Sequence, residues 1–294
     1  MTQIDNRRFV ALIASVAVGD FVLRISFSKS ITSDLVGVLS ACLLSVLVAV
    51  LLKTALDFYK RHSFKYKPLC SGIIMLISAV PLVWTALSSA SNLSRYVENV
   101  MLKSGLVIVY FVSFILLAVF VAFQHRNVTL KLGLVLFPII AIFVLLMFIL
   151  SVQFMNVKYI VPYSSLSVGS VWKTFSESAV CLFSAFIPSL ILGNTAKKRH
   201  FAIAFAIASG IIIVCFLNTA LIFGAELSST LEYPYSQAVS TASFGHIFSR
   251  MDGFLYAVCF FTSFLKTSVC LLCTVELIKK ALGLIFFQKN QLSY

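Results

Sequence analysis

Acidic side chains are scarce in this sequence. Only 10 of its 294 residues are Asp or Glu, and charged residues make up 11% of the chain. A soluble domain carries about twice that charged share. With 60% hydrophobic residues, a water-soluble fold of this size could not bury its apolar surface in one core. These shortages exclude a soluble globular protein and favour a chain that lies in a lipid bilayer.

Motifs of the common enzymes are also missing. The sequence contains no GxSxG, P-loop or HExxH motif, and no two of its four histidines have the spacing of metal ligands. The seven cysteines fall in or beside apolar stretches, which argues against a disulfide framework. Cys270 and Cys273 form a CxxC pair inside such a stretch, where helix packing is the better interpretation. We expect neither an enzyme nor a bound metal or cofactor.

Eight stretches are long and apolar enough to cross a bilayer as helices, which takes about 20 residues. They predict a single all-α transmembrane domain over residues 1–294. The stretches are 9–28, 32–56, 69–90, 105–123, 130–153, 174–194, 201–225 and 253–275. Residues 276–294 hold only a short apolar run, so we expect a cytoplasmic tail there.

The basic residues lie in short runs between these stretches and predict the orientation. With the N-terminus in the cytoplasm, fourteen Lys and Arg fall on the inner side and six on the outer side, as the positive-inside rule requires. Membrane topology therefore explains the net charge of +13. No domain-sized basic face interleaved with aromatic residues is present, so we expect no nucleic-acid partner.

Four charged residues within the predicted helices stand out as candidates for charges at membrane depth: Asp20, Arg24, Glu177 and Lys266. A charge at membrane depth costs several kcal/mol unless it is paired or hydrated. Lys266 lies midway along helix eight and needs a carboxylate partner, for which Asp20 and Glu177 are the candidates. The resulting pair is either functional or a structural ion pair. Glu177 itself is either intramembrane or an interfacial residue that marks the start of helix six.

Asp20 and the fourth charged residue, Arg24, allow two interpretations. Their i,i+4 spacing lets them pair on one helix face near the helix end, where Arg24 can reach water. Alternatively, helix one is broken around residues 17–20, and the freed backbone groups bind a ligand, as in many secondary transporters. Pro81, Pro138 and Pro188 predict kinks in helices three, five and six.

Several segments, in order along the chain, resemble one family. They are the opening of helix one (8–19), the aspartate-containing start of helix two (32–39), a basic–aromatic–acidic segment (93–98), an Asn-rich loop ending in proline (156–162), and the lead-in and middle of helix eight (249–255 and 264–268). Their order and spacing resemble the GerAB-type spore germination permeases, a branch of the amino acid–polyamine–organocation transporter superfamily.

This resemblance implies a LeuT-like bundle built from an inverted pair of five-helix repeats. The ligand site would lie between helices one and six near the midplane. Lys266 would face helix one at a position where related transporters often hold a cation, so its ammonium could replace that cation or hold a proton. The implied binding residues are Val18, Gly19 and Asp20 on helix one and Ser178, Ala179 and Cys181 on helix six.

The resemblance also implies a partner set. The ligand would be a small, amino-acid-like germinant, and the chain would assemble in the spore inner membrane with the A-type and C-type subunits of a germinant receptor. The family has ten helices and eight are predicted here, so the second repeat is expected to be incomplete. Helix one also lacks the family's glycine-rich break and following proline. An amino acid/cation secondary transporter and a degenerate, non-transporting assembly subunit remain alternative functions.

Overall fold

A computed structural model of the chain describes residues 6–28, 30–61, 68–102, 106–124, 126–159, 166–193, 196–241 and 251–291. Every regular element in these ranges is helical. The α-helices are α1 (Asn6–Val18), α2 (Phe21–Arg24), α3 (Ile31–Arg61), α4 (Pro68–Tyr96), α5 (Val107–Ala122), α6 (Arg126–Ser151), α7 (Val168–Phe183), α8 (Phe186–Leu192), α9 (Lys198–Thr230), α10 (Pro234–Thr241) and α11 (Met251–Gln291). A π-helical segment, Val97–Leu102, continues α4, and two short 3-10 segments follow α6.

The predicted membrane-embedded helical bundle is confirmed. Among the described residues, six helical segments are long and apolar enough to span a bilayer: Ile31–Phe58, Met75–Val100, Val128–Phe154, Val168–Leu192, Lys198–Thr230 and Gly253–Gly283. The fourth predicted helix corresponds to α5, which is apolar but shorter, and the first is divided between α1 and α2. The LeuT-like arrangement and the incomplete second repeat stay predictions.

Several helix bounds differ from those predicted. The sixth predicted helix, 174–194, is two helices separated by a turn at Ser184 and Ala185, and the seventh continues to Thr230. Helix α11 does not end at residue 275 but continues to Gln291. Leu277 and Ala281, one helical turn apart, are both buried, and their packing carries the helix past the charged residues that suggested an end.

Helices α1 and α11 form the centre of the bundle. Helix α1 packs against α6, α9 and α11, while α11 packs along α4 and also contacts α5 and α6. In the 18-residue apolar window of α11, 78% of the residues are buried, compared with 33% in the corresponding window of α3. The outward face of α3 exposes Leu43, Leu47 and Leu51, four residues apart, as expected for a helix that faces lipid.

Helix α9 bends at Gly224, where the backbone has a φ of 71° and a ψ of 178°. The bend leaves the Leu221 carbonyl available, and it accepts a hydrogen bond from the Asn156 amide at 2.9 Å. The ring of Tyr159 lies over the bend, because a Cβ added to Gly224 would be 3.2 Å from that ring. Gly224 therefore allows both the bend and the docking of the segment after α6.

We expect Gly224→Ala to lower the free energy of unfolding by about 1–3 kcal/mol, because an L-residue is strained in this backbone region. The apparent melting temperature of the detergent-purified protein measures the effect. Gly210→Ala is the matched control, since this glycine lies in the same helix with nothing within 4 Å of an added Cβ. It should leave stability unchanged or raise it by up to about 1 kcal/mol. Equal effects at both glycines would contradict the interpretation.

The orientation can be tested with two exposed lysines, Lys158 on the predicted outer side and Lys197 on the predicted inner side. We expect a membrane-impermeant thiol reagent to label Lys158→Cys in intact cells and Lys197→Cys only after the membrane is opened. The described native cysteines are buried, so their background labelling should be low. The reverse pattern would overturn the prediction of a cytoplasmic N-terminus.

Candidate functional site

The first helix is interrupted at Gly19 and Asp20. The Gly19 amide still donates to the Ser15 carbonyl at 3.0 Å, but the Asp20 carbonyl then accepts from Leu23, only three residues later. Glycine and aspartate both disfavour the helix interior, glycine through entropy and aspartate through competing hydrogen bonds. The break predicted around residues 17–20 is confirmed.

Gly19 also makes room for the lysine of the opposite helix. A Cβ at Gly19 would lie 2.7 Å from Cδ of Lys266, which is closer than non-bonded carbon atoms approach. The aliphatic part of Lys266 therefore crosses the break directly against the backbone. Only glycine allows this approach.

Asp20 is the centre of a buried polar cluster. Its side chain is fully buried, and Lys266 is only 3% exposed. The Lys266 ammonium lies 3.3 Å from Oδ2 of Asp20, and the Ser89 hydroxyl of α4 donates to Oδ1 at 2.5 Å. The sequence analysis named Asp20 and Glu177 as candidate partners of Lys266. In the structure, the partner is Asp20.

Arg24 connects this cluster to α4. Its guanidinium lies 3.7 Å from Oδ2 of Asp20 and donates to the Ser88 hydroxyl at 2.5 Å. The sequence allowed either an i,i+4 ion pair of Asp20 with Arg24 or a break in helix one. The structure contains both the ion pair and the break, which separates α1 from α2. Oδ2 of Asp20 accepts no hydrogen bond from the described residues, so its compensation is the charge of the two cations.

The second interruption separates α7 from α8. The Ser184 hydroxyl donates to the Cys181 carbonyl at 2.6 Å, and the Ala185 amide to the Leu182 carbonyl at 3.2 Å. Pro188 lies in the first turn of α8, where its missing N–H is tolerated. The proline therefore marks the start of a new helix instead of a kink within one.

The two interrupted helices meet beside Glu177. Its carboxylate accepts a hydrogen bond from the Ser26 hydroxyl in the segment after α2. Glu177 and Ser178 of α7 line a small cavity with Phe21 and Arg24 of α2. The cavity measures about 10 Å³, which is room for roughly one water molecule. In this state, the junction between helices one and six is closed.

The predicted site residues are therefore only partly brought together. Ser178 lines the junction cavity, whereas Cys181 is fully buried and does not line it. Val18 and Ala179 are buried but do not line the cavity. Glu177 is half-buried and bonded to Ser26, so it is neither the partner of Lys266 nor fully exposed.

One buried cation was not predicted to have a role. Lys53 of α3 is 2% exposed, and its ammonium lies 3.2 Å from the Asp57 carboxylate. It also donates to the Gly193 carbonyl at the C-terminal end of α8, at 3.3 Å, and lies 5.4 Å from the Phe201 ring centroid. The i,i+4 spacing of Lys53 and Asp57 within an apolar run is the signal that could have revealed it.

A short helix covers the opposite end of the site. Helix α10 contacts α2, α6, α9 and α11, and its Ser236 hydroxyl shares a hydrogen bond with Tyr96 of α4 at 2.9 Å. Nearby, Asn99 donates to the Glu232 carboxylate at 2.8 Å. Burial raises the pKa of Tyr233, and the neighbouring Glu232 raises it further, so this phenol stays neutral at physiological pH.

A helical membrane bundle with two interrupted helices and a buried ion pair at one interruption defines a permease-like protein. The family model described as "Spore germination protein" matches residues 3–292. The chain belongs to this family of spore germination permeases, which is transporter-like rather than enzymatic. The comparison with curated proteins finds no match.

The Asp20–Lys266 pair should be strongly coupled in stability. We expect Lys266→Met to destabilise the protein by about 3 kcal/mol, because it leaves a buried carboxylate short of a cation. In the double variant with Asp20→Asn, the combined loss should fall well below the sum of the two single losses. Apparent melting temperatures of the four proteins measure this cycle.

Lys173→Met serves as the control, because Lys173 is exposed on α7. It should change stability by less than about 0.5 kcal/mol. Strictly additive losses for Asp20→Asn and Lys266→Met would show that the two charges do not stabilise one another.

Proposed function

We propose that this protein is the membrane-embedded subunit of a germinant receptor and that it binds a small, amino-acid-like germinant where the two interrupted helices meet. The family gives the germination-related, permease-like role. The observation that carries the ligand proposal is the buried Asp20 at the break of helix one, with Lys266 at 3.3 Å and an Oδ2 that accepts no hydrogen bond from the described residues.

Charge balance favours a zwitterionic ligand. Asp20 lies within 4 Å of the cations of Arg24 and Lys266, and Glu177 lines the adjoining junction cavity together with Arg24. The formal charges of these two carboxylates and two cations sum to zero. A ligand with a net charge would leave that charge unbalanced in a low-dielectric site. An amino acid adds none, and its ammonium can donate to Oδ2 of Asp20 while its carboxylate pairs with Arg24.

Ligand entry requires a change of conformation, because the junction cavity of about 10 Å³ is too small for an amino acid. Helix α2 is a single turn held by Ser88 and α10, and α8 is held by Lys53. These two half-helices are the elements whose movement would open the junction. A ligand that binds only the open state would shift the population between the two states.

The output of this shift distinguishes the alternatives. In a receptor, the change is passed to the A-type and C-type subunits in the spore inner membrane. In an amino acid/cation secondary transporter, the ligand is released on the other side. In a non-transporting assembly subunit, no ligand binds. The absence of a glycine-rich break and proline in helix one does not prevent the break itself, which supports retained binding.

The first test is thermal stabilisation of the detergent-purified protein by a panel of amino acids, sugars and nucleosides. A ligand present at 100 times its Kd should stabilise the folded state by about 2.7 kcal/mol. Asp20→Asn and Lys266→Ala should abolish the shift, whereas Glu226→Gln, which alters an exposed carboxylate of α9, should keep it. A ligand that still stabilises Asp20→Asn would remove Asp20 from the site.

Counterflow of the labelled hit in vesicles then separates receptor from transporter. A sensor should bind without exchange, and robust exchange would favour the transporter. If no compound in the panel stabilises the protein, the ligand proposal fails for the isolated chain, and the assembly-subunit alternative is favoured.

A further inference from the structure

Helix α4 carries a polar stripe within its membrane span. Ser88, Ser91, Asn92 and Arg95 are spaced as i, i+3, i+4 and i+7, which places them on one helix face. They line a groove of about 570 Å³ between α4 and α5. This volume is within the range of sites that hold small molecules. The groove shares no lining residue with the closed cavity between α2 and α7, and the hydrogen bond from Arg24 to Ser88 lies between the two.

The groove opens towards the bilayer. Trp84 of α4 and Ile108 of α5, which form its apolar wall, are each 73% exposed. Both belong to helices with otherwise apolar outer faces, so their exposed surface faces lipid. Any molecule that enters the groove from this side comes from the membrane.

Two groups of the stripe lack partners. The Asn92 amide nitrogen is buried and donates to no acceptor in the described part of the chain. Arg95 is exposed, and none of the carboxylates in the described ranges lies within 4 Å of its guanidinium. Unpaired polar groups at membrane depth are costly. A ligand with acceptor oxygens would relieve that cost.

The order of groups along α4 matches one kind of membrane molecule. Starting from the helix end, the groove presents a cation (Arg95), then an amide and a hydroxyl (Asn92 and Ser91), then the ring of Trp84. Arg95 and Trp84 are 11 residues apart, about 16 Å along a helix. A phospholipid has the same order over such a length: a phosphate, two ester groups and the acyl chains.

We propose that the groove between α4 and α5 binds one anionic phospholipid. Its phosphate pairs with Arg95, its ester oxygens accept from Asn92 and Ser91, and an acyl chain lies along Trp84 and Ile108. An anionic headgroup is favoured because no carboxylate of the described residues lies within 4 Å of the positively charged Arg95 guanidinium. A helix of a partner protein fits less well, since its apolar face would leave the Asn92 amide unpaired.

The sequence offers a built-in probe, because the protein has 2 tryptophans, Trp84 in the groove and Trp172 on α7. Trp172→Phe leaves Trp84 as the only reporter. This variant is reconstituted in phosphatidylcholine with a small fraction of brominated phosphatidylglycerol or, in parallel, of brominated phosphatidylcholine. Bromine quenches tryptophan fluorescence on contact, so the excess quenching by phosphatidylglycerol gives its relative affinity for the groove.

We expect phosphatidylglycerol to associate with the groove at Trp84 about five-fold more strongly than phosphatidylcholine does, because one cation near the membrane surface contributes roughly this much to the binding of an anionic lipid. Arg95→Gln in this background should abolish the preference, and Lys158→Gln, which alters an exposed cation outside the groove, should preserve it. Trp84→Phe, in which Trp172 reports on general lipid contact, should show no preference.

Three results would overturn the proposal. Equal quenching of Trp84 by both lipids would show that the groove does not select the anionic headgroup. A preference that survives Arg95→Gln would remove Arg95 from the site. Absence of quenching by either lipid would show that protein, such as a second copy of this chain, covers the groove.

Discussion

A carboxylate buried within a bilayer must be neutralised by its neighbours, and the arrangement of this bundle follows from meeting that requirement at Asp20. The cations come from α11 and α2, and the hydroxyl donor comes from α4. Three helices far apart in sequence are thus fixed around one side chain. Gly19 allows this pairing, because a side chain at that position would push Lys266 away from the carboxylate. Removing any one of these groups leaves the others without a low-energy arrangement.

Much of this architecture can be predicted from the sequence. The apolar stretches predict most of the helices. The position of Lys266 deep within one of them predicts that its ammonium pairs with a carboxylate. The choice between Asp20 and Glu177 could not be made, because pairing depends on which helices are neighbours. The prediction of a kink at Pro188 is wrong in position, because the interruption lies at Ser184 and Ala185 and a proline within an apolar run is compatible with a helix start as well as with a kink. The continuation of α11 was missed because hydropathy does not reveal that Leu277 and Ala281 find a packing surface.

The interrupted helices of the candidate site are consistent with a transporter-like family. Spore germination permeases are transporter-like, and this chain has both a broken first helix and a broken sixth, with the charged groups concentrated at the first break. The cations of Lys266 and Arg24 explain how the carboxylate of Asp20 can be buried in a membrane protein. A ligand bound as we propose would have to compete with internal contacts such as the hydrogen bond from Arg24 to Ser88. Selectivity would then rest on how well a ligand replaces those pairs.

The contact of Lys53 with α8 has a mechanical consequence. Its ammonium holds the last carbonyl of the half-helix at Gly193 and the Asp57 carboxylate at the same time. Sliding α8 along its axis would strand this ammonium in an apolar setting, whereas turning α8 about the Gly193 end keeps both contacts. The other end of α8 follows the turn at Ser184 and Ala185. The half-helix is therefore held by a charge at its Gly193 end, so rotation about that end disturbs the contacts of Lys53 less than sliding along the axis would.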